Sequence, residues 1–174
     1  LAILAAKLGT PNTVVYASGP KITINHASRI SLDDWQSIFA ADTHACFAIV
    51  KAAVPMLQNA GGGSLVAVTT TQFNRIESRG VLSSAPKAAI ELLFRAIAKE
   101  EARNNIRANT VQAGWVEAVG LGAQALEGTL SDAAKQAIVG MIPQRRLADP
   151  MEIANAVVFL ASDAASYVTG HNLM

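Results

Sequence analysis

Short apolar runs alternate along the chain with longer segments in which apolar residues recur every three or four positions. That is the pattern of α/β units around a mostly parallel sheet. Leu1 to Leu8 reads as a helix, and Thr13 to Ala17 (TVVYA) as a buried strand. Ser18, Gly19 and Pro20 turn the chain at the carboxyl end of that strand, where α/β proteins place ligands. Ser31 caps a long helix, with Asp34 in the capping-box position. Its apolar stripe runs through Trp35, Ile38, Phe39, Cys46, Val50, Ala53 and Leu57, and Asn59 to Gly63 ends it. Ser64 to Val68 (SLVAV) is a second buried strand leading into three hydroxyl residues, Thr69 to Thr71.

After a loop to Leu82, Ser83 or Ser84 caps the next helix, which tolerates Pro86 in its first turn. Apolar spacing at Ile90, Leu93, Phe94 and Ile97 carries that helix towards Glu101, and Asn104 or Asn105 supplies a left-handed C-cap. Ile106 to Val111 reads as the third strand, broken at Ala113 and Gly114 before a Gly- and Ala-rich segment, expected to be mobile, that reaches Gly128. Helices at Asp132 to Met141 and Pro150 to Ser162 and a short strand at Asn172 to Met174 complete the reading. Without repeat or linker, residues 1–174 form a single domain.

Composition narrows the function classes. With 174 residues, 51% of them apolar and 16% charged, the chain has the means to bury one sizeable core. A net charge of +1 with scattered Lys and Arg gives no footprint for nucleic acid. Cys46 is the lone cysteine, so no disulfide framework or cysteine metal site forms, and the cytoplasm is the expected compartment. The longest apolar windows, such as Ile153 to Ala161, are broken by charge well short of the ~20 residues of a membrane span. His26, His44 and His171 lack metal-ligand spacing, and Trp35 and Trp115 read as packing residues.

Two stretches carry a resemblance. Ser64 to Glu117, with SLVAVTT, SSAPKAA and NNIRANTVQAGWVE, and Ile142 to Gly170, with IPQRRLADPMEIANAVVFLASDAASYVTG, resemble the short-chain dehydrogenase/reductase family. The resemblance implies a Rossmann-like doubly wound parallel sheet, here its C-terminal part, family strands 4 to 7 with flanking helices. It implies an NAD(P)-dependent oxidoreductase acting on a carbonyl or alcohol, with NAD or NADP as cofactor and a small molecule as substrate. A homo-oligomer through the helices after Ser31 and Ser84 is expected by the same token, with no nucleic-acid or membrane partner.

The catalytic positions that the resemblance assigns are Asp42, Thr70, Ser83 and Lys87, and the cofactor positions are Ser18, Gly19, Lys87, Gly114 and Val116; no metal is implied. Ser83 stands where the family carries its proton-donating tyrosine, and an aliphatic hydroxyl is a far weaker acid than a phenol. The only tyrosines, Tyr16 and Tyr167, lie elsewhere in the sequence. Lys87, four residues after Ser83, shares its helix face and is placed to reach nicotinamide-ribose hydroxyls. Thr70 takes the place of the substrate-orienting serine, and Asp42 that of a structural asparagine. A carboxylate on the apolar stripe is costly to bury, so Asp42 either pairs with Lys87, directly or through water, or stays protonated.

Further departures fall around the same pocket. Tyr16 and Ala17 replace a double asparagine, Ala113 a proline, and Ala118 a threonine that helps hold the carboxamide. The family's glycine-rich phosphate turn is not in the sequence, and Gly61 to Gly63 precedes a strand rather than following one. The first strand is then an open edge, so a longer natural chain, or a partner over that edge, is expected. The site reads as degenerate; the alternative is a non-catalytic nucleotide-binding or structural subunit.

Overall fold

The computed structural model describes residues 2–117 and 131–174. Four strands, β1 (Thr13–Tyr16), β2 (Gly63–Thr70), β3 (Ile106–Ala113) and β4 (Asn172–Leu173), form one sheet in the order β1-β2-β3-β4, every pair parallel. This is the α/β parallel sheet expected of the strand pattern, and β1 is an edge among the described strands. Helix α1 (Ala2–Leu8) precedes β1, and the β1–β2 crossover is a long helix in three parts. These are α2 (Leu32–Phe39), a π turn (Ala40–His44) and α3 (Ala45–Asn59). Helix α4 (Val81–Glu100) joins β2 to β3, while α5 (Asp132–Met141) and α6 (Pro150–Ala161) lie between β3 and β4.

Apolar residues divide between the two faces of the sheet. On one, Tyr16, Leu65, Ala67, Ile106 and Ala108 pack against Cys46, Val50, Ala53 and Leu57 of α3 and Ile90, Phe94 and Ile97 of α4. On the other, Val66 and Val111 pack against Leu160 of α6. The period of two along each strand sends neighbours to opposite faces, and helix spacing puts one stripe of each helix onto the sheet. The 28-residue helix Leu32–Asn59 is long and apolar enough, by length and composition alone, to cross a membrane. Among the described residues it, rather than Ile153 to Ala161, is the longest apolar helix, and its stripe packs on the sheet.

Local signals set most of the boundaries. Ser31 accepts from the Asp34 amide at 3.0 Å, the expected cap, and Asp149 and Glu152 close a full capping box at α6. Asn105 takes the left-handed conformation (φ 56°) ahead of β3, as expected. Glycine is obligatory before β2. Gly62 has φ +135°, and a Cβ on Gly63 would lie 2.5 Å from the Asn12 carbonyl. The start of α4 is a correction: it begins at Val81, two residues before Ser83, with Gly80 as N-cap. The Ser83 and Ser84 amides bond back to the Gly80 carbonyl, and Ser84 Oγ turns to that carbonyl instead of capping. Pro86 consequently sits in the second turn. The segment 118–130, including Ala118 and most of the stretch expected to be mobile, lies outside the described residues.

Phe94, 2% exposed at the centre of the larger core, gives the packing a direct test. Phe94→Ala is expected to cost about 3–5 kcal/mol of stability, read from the urea midpoint at unchanged slope.

Candidate active site

Helix α4 runs antiparallel to the strands and brings Lys87 beside the carboxyl end of β1. The long helix returns past the same point, and there its winding changes: the π turn at Ala40–His44 puts one extra residue into the coil around Asp42, which is 3% exposed. The Lys87 ammonium lies 2.9 Å from Asp42 Oδ1 and donates to the Ser18 carbonyl at 2.7 Å. Of the two outcomes open for Asp42, the direct pair is the one observed. Thr43 Oγ1 donates to the Pro86 carbonyl at 3.2 Å, tying the π turn to the turn of α4 that carries the lysine.

Tyr16, expected at the pocket only as the replacement of an asparagine, is a bonded member of this cluster. Its hydroxyl donates to the Asp42 carbonyl at 2.9 Å and to Asp42 Oδ1 at 3.2 Å, one proton shared between two acceptors of one residue. Its ring lies 5.3 Å from the Lys87 ammonium, within cation–π range. Burial, reinforced by the neighbouring Asp42 carboxylate, pushes the Tyr16 phenol well above its ordinary range, so it stays protonated. The available signal was the period of two: Val14 and Tyr16 share the face of β1 that packs on α3. Sequence reasoning placed the strand end correctly but did not carry Tyr16 across to the helix. Cys46, one helical turn beyond Asp42, is fully buried; desolvation outweighs the Lys87 charge and pushes its thiol up to about 12.

The other candidate residues lie around the same edge of the sheet, in different surroundings. A Cβ on Gly19 would stand 3.6 Å from the Lys87 ammonium, an ordinary van der Waals contact, so Gly19 lies directly beside the cation. Ser83 lies one turn before Lys87 on α4, half-buried, and among the described residues its hydroxyl donates no hydrogen bond. Thr70 Oγ1 accepts from the Gln72 amide at 3.2 Å, capping the short 3-10 turn after β2. Gly114 lines a 670 Å³ cleft with Thr71, Gln112, Trp115 and Met141. Val116 lines a separate apolar hollow of 450 Å³ with Ala17, Ala113 and Val15. The structure thus brings Ser18, Gly19, Asp42 and Lys87 together, leaves Gly114 and Val116 as walls of adjoining spaces, and gives Thr70 the cap of the turn after β2. Beside the cleft, Glu91 Oε1 accepts from Gln112 Nε2 at 2.7 Å and Thr110 Oγ1 at 3.1 Å, a network absent from the sequence reading.

A four-stranded parallel sheet with helices on both faces, and a lysine–carboxylate pair at the carboxyl end of its first strand, defines a Rossmann-like α/β protein. Comparison with known proteins makes the assignment narrower. A family model described as enoyl-(acyl carrier protein) reductase matches residues 2–174. The chain is 33% identical over 144 residues to 2,5-dichloro-2,5-cyclohexadiene-1,4-diol dehydrogenase of Sphingobium indicum, covering 82% of this chain and 55% of that protein. It is 32% identical over 171 residues to D-threitol dehydrogenase of Mycolicibacterium smegmatis, covering 98% and 64%. A Burkholderia xenovorans structure described as a short-chain dehydrogenase/reductase superposes with TM-score 0.92 at 26% identity, over 99% of this chain and 66% of that one. The chain belongs to the short-chain dehydrogenase/reductase family, and it spans about half to two thirds of the length of the curated relatives it matches.

The two raised acids set an alkaline limit. Unfolded, the Cys46 thiol and the Tyr16 phenol titrate near ~8.5 and ~10; folded, both hold their protons to higher pH. Their contribution is complete below the unfolded values and drains away as pH rises, because the unfolded chain releases protons first. Urea unfolding across a pH series is expected to show stability falling above about pH 9, and Cys46→Ala, though weaker at neutral pH, to show a shallower alkaline fall.

Proposed function

We propose that the chain forms the nicotinamide and substrate side of an NAD(P)-linked short-chain oxidoreductase acting on a carbonyl or alcohol, with a degenerate proton-transfer site. The carrying observation is the Lys87 ammonium at the carboxyl edge of the sheet, fixed by Asp42 and Ser18 with Gly19 directly beside it. Among the described residues two of its three N–H donors are engaged, which leaves the third to meet a vicinal diol. The residues therefore fit a nicotinamide ribose, with Lys87 its donor. Ala17, Ala113 and Val116 offer an apolar wall for a planar ring. Bound NAD(P) would supply the hydride donor or acceptor; the protein supplies position and protons.

In this reading Thr70 and Gly114 border the substrate space, and Ser83 occupies the position of the proton-donating phenol. A serine hydroxyl is too weak an acid to take over that work, so the proton reaches the carbonyl oxygen through water alongside Ser83. A positioned general acid contributes about 10²–10⁴-fold, and the rate is expected to fall short by that order. The outward faces of α2, α3 and α4, with exposed Leu32, Phe47 and Leu92, are where a second copy packs. The relatives, dehydrogenases of a cyclohexadienediol and of a sugar alcohol by name, support the reaction class. A second reading, a non-catalytic nucleotide-binding or structural subunit, is favoured by one observation: the Tyr16 phenol is locked onto Asp42 and unavailable to replace the one lacking at Ser83.

Calorimetric titration with NAD⁺ and NADP⁺, followed by reduction assays on a panel of ketones, separates the readings. Binding that weakens about 10- to 100-fold in Lys87→Met, with slow reduction, is the expected result. Binding without any reduction favours the second reading, and no binding of either nucleotide overturns the first.

A further inference from the structure

The Lys87 ammonium is charge-balanced from within. Asp42 faces it from the π turn at 2.9 Å, and Tyr16 from β1 both orients that carboxylate and presents its ring to the cation. The third titratable neighbour, Cys46 of α3, is held as a neutral thiol. On its own helix the next carboxylate, Glu91, is engaged by Gln112 and Thr110 of β3. Seen from position 83, one helical turn away, the lysine is therefore one end of a short dipole rather than a free unit charge.

That distinction decides what the lysine does to an acid beside it. A lone cation within about 4–6 Å lowers the pKa of a neighbouring acid by 1–3 units, through its preference for the ionised form. A carboxylate in contact with the same cation opposes that field, and little of the effect survives at the neighbour. We propose that Tyr16 and Asp42 act as positioning residues that commit Lys87 to an internal ion pair, so that the cleft no longer acidifies a hydroxyl at position 83, whichever residue stands there. The replacement of the phenol and the capture of the lysine are thus two separate changes, and reversing one leaves the other in force. The inference rests on the reading of Ser83 and Lys87 as one side of a proton-transfer site, yet it concerns an ionisation that is measurable with no cofactor or substrate present.

The test introduces a phenol and asks how acidic it becomes. Ionisation of the phenol added by Ser83→Tyr is followed by ultraviolet difference titration, each variant read against the same protein with Ser83 retained, which removes the signals of Tyr16 and Tyr167. With Asp42 in place the added phenol is expected to titrate close to the ordinary ~10, and in Ser83→Tyr/Asp42→Asn about 1–2 units lower. Should Asp42→Asn fail to fold, Ser83→Tyr/Tyr16→Phe, which loosens the carboxylate without removing it, is expected to give a smaller downward shift. A phenol that titrates more than about one unit below ~10 in Ser83→Tyr alone overturns the proposal, as does an unchanged value in either double variant. Nucleotide calorimetry on the same proteins reports on the reading beneath: its failure alongside the expected pKa shifts removes the cofactor assignment and leaves the ion-pair inference standing.

Discussion

A carboxylate and an ammonium are kept together almost out of water, and much of the local structure is arranged around the cost of doing so. The Asp42 and Lys87 side chains are 5% and 15% exposed. Breaking such a pair by removing one partner commonly costs about 3–5 kcal/mol, because the survivor is left charged in a dry site. The cluster meets this demand with the Tyr16 hydroxyl on the carboxylate, the Ser18 carbonyl on the ammonium and an aromatic ring beside it. Tyr16 and Ser18 lie at the end of β1, Asp42 in the long helix and Lys87 in α4, so the pair staples these three parts of the chain together.

The same requirement accounts for the break in the long helix. A regular α-helix from Leu32 to Asn59 would set the phase of Asp42 by the stripe of Ile38 and Cys46, whereas the π turn shifts it and alters the carbonyl pairing. The Asp42 carbonyl is the acceptor that the Tyr16 hydroxyl meets at 2.9 Å. The turn is thus stabilised by a side chain from the neighbouring strand, and in return it delivers the carboxylate to Lys87. Gly19 completes the arrangement by lying directly beside the cation.

Much of this was legible in the sequence, for definable reasons. Short apolar runs at Thr13, Ser64 and Ile106 and the stripe from Ile38 to Leu57 report burial directly, so strands, helices and the parallel sheet followed. Ser31 and Asn105 are local signals that act through their own backbone neighbourhood. Helix spacing placed Asp42 on a buried stripe, and the demand for a counter-charge pointed to Lys87 as one of its two outcomes. What stayed hidden depends on contacts distant in sequence. Tyr16 meets Asp42 across 26 residues, its hydroxyl bonded to a carbonyl of the π turn. At the start of α4, the serines looked like caps by residue type, but their amides are already served by the Gly80 carbonyl.

The central claim is that Asp42 and Lys87 act as one unit rather than as two neighbouring polar residues. A double-mutant cycle on folding stability, with Asp42→Asn, Lys87→Met and the combination, measures this directly. The account predicts that each single change is strongly destabilising while the double change costs much less than their sum, a coupling of about 2 kcal/mol or more. Additivity within about 0.5 kcal/mol would contradict it and leave the 2.9 Å contact without energetic consequence.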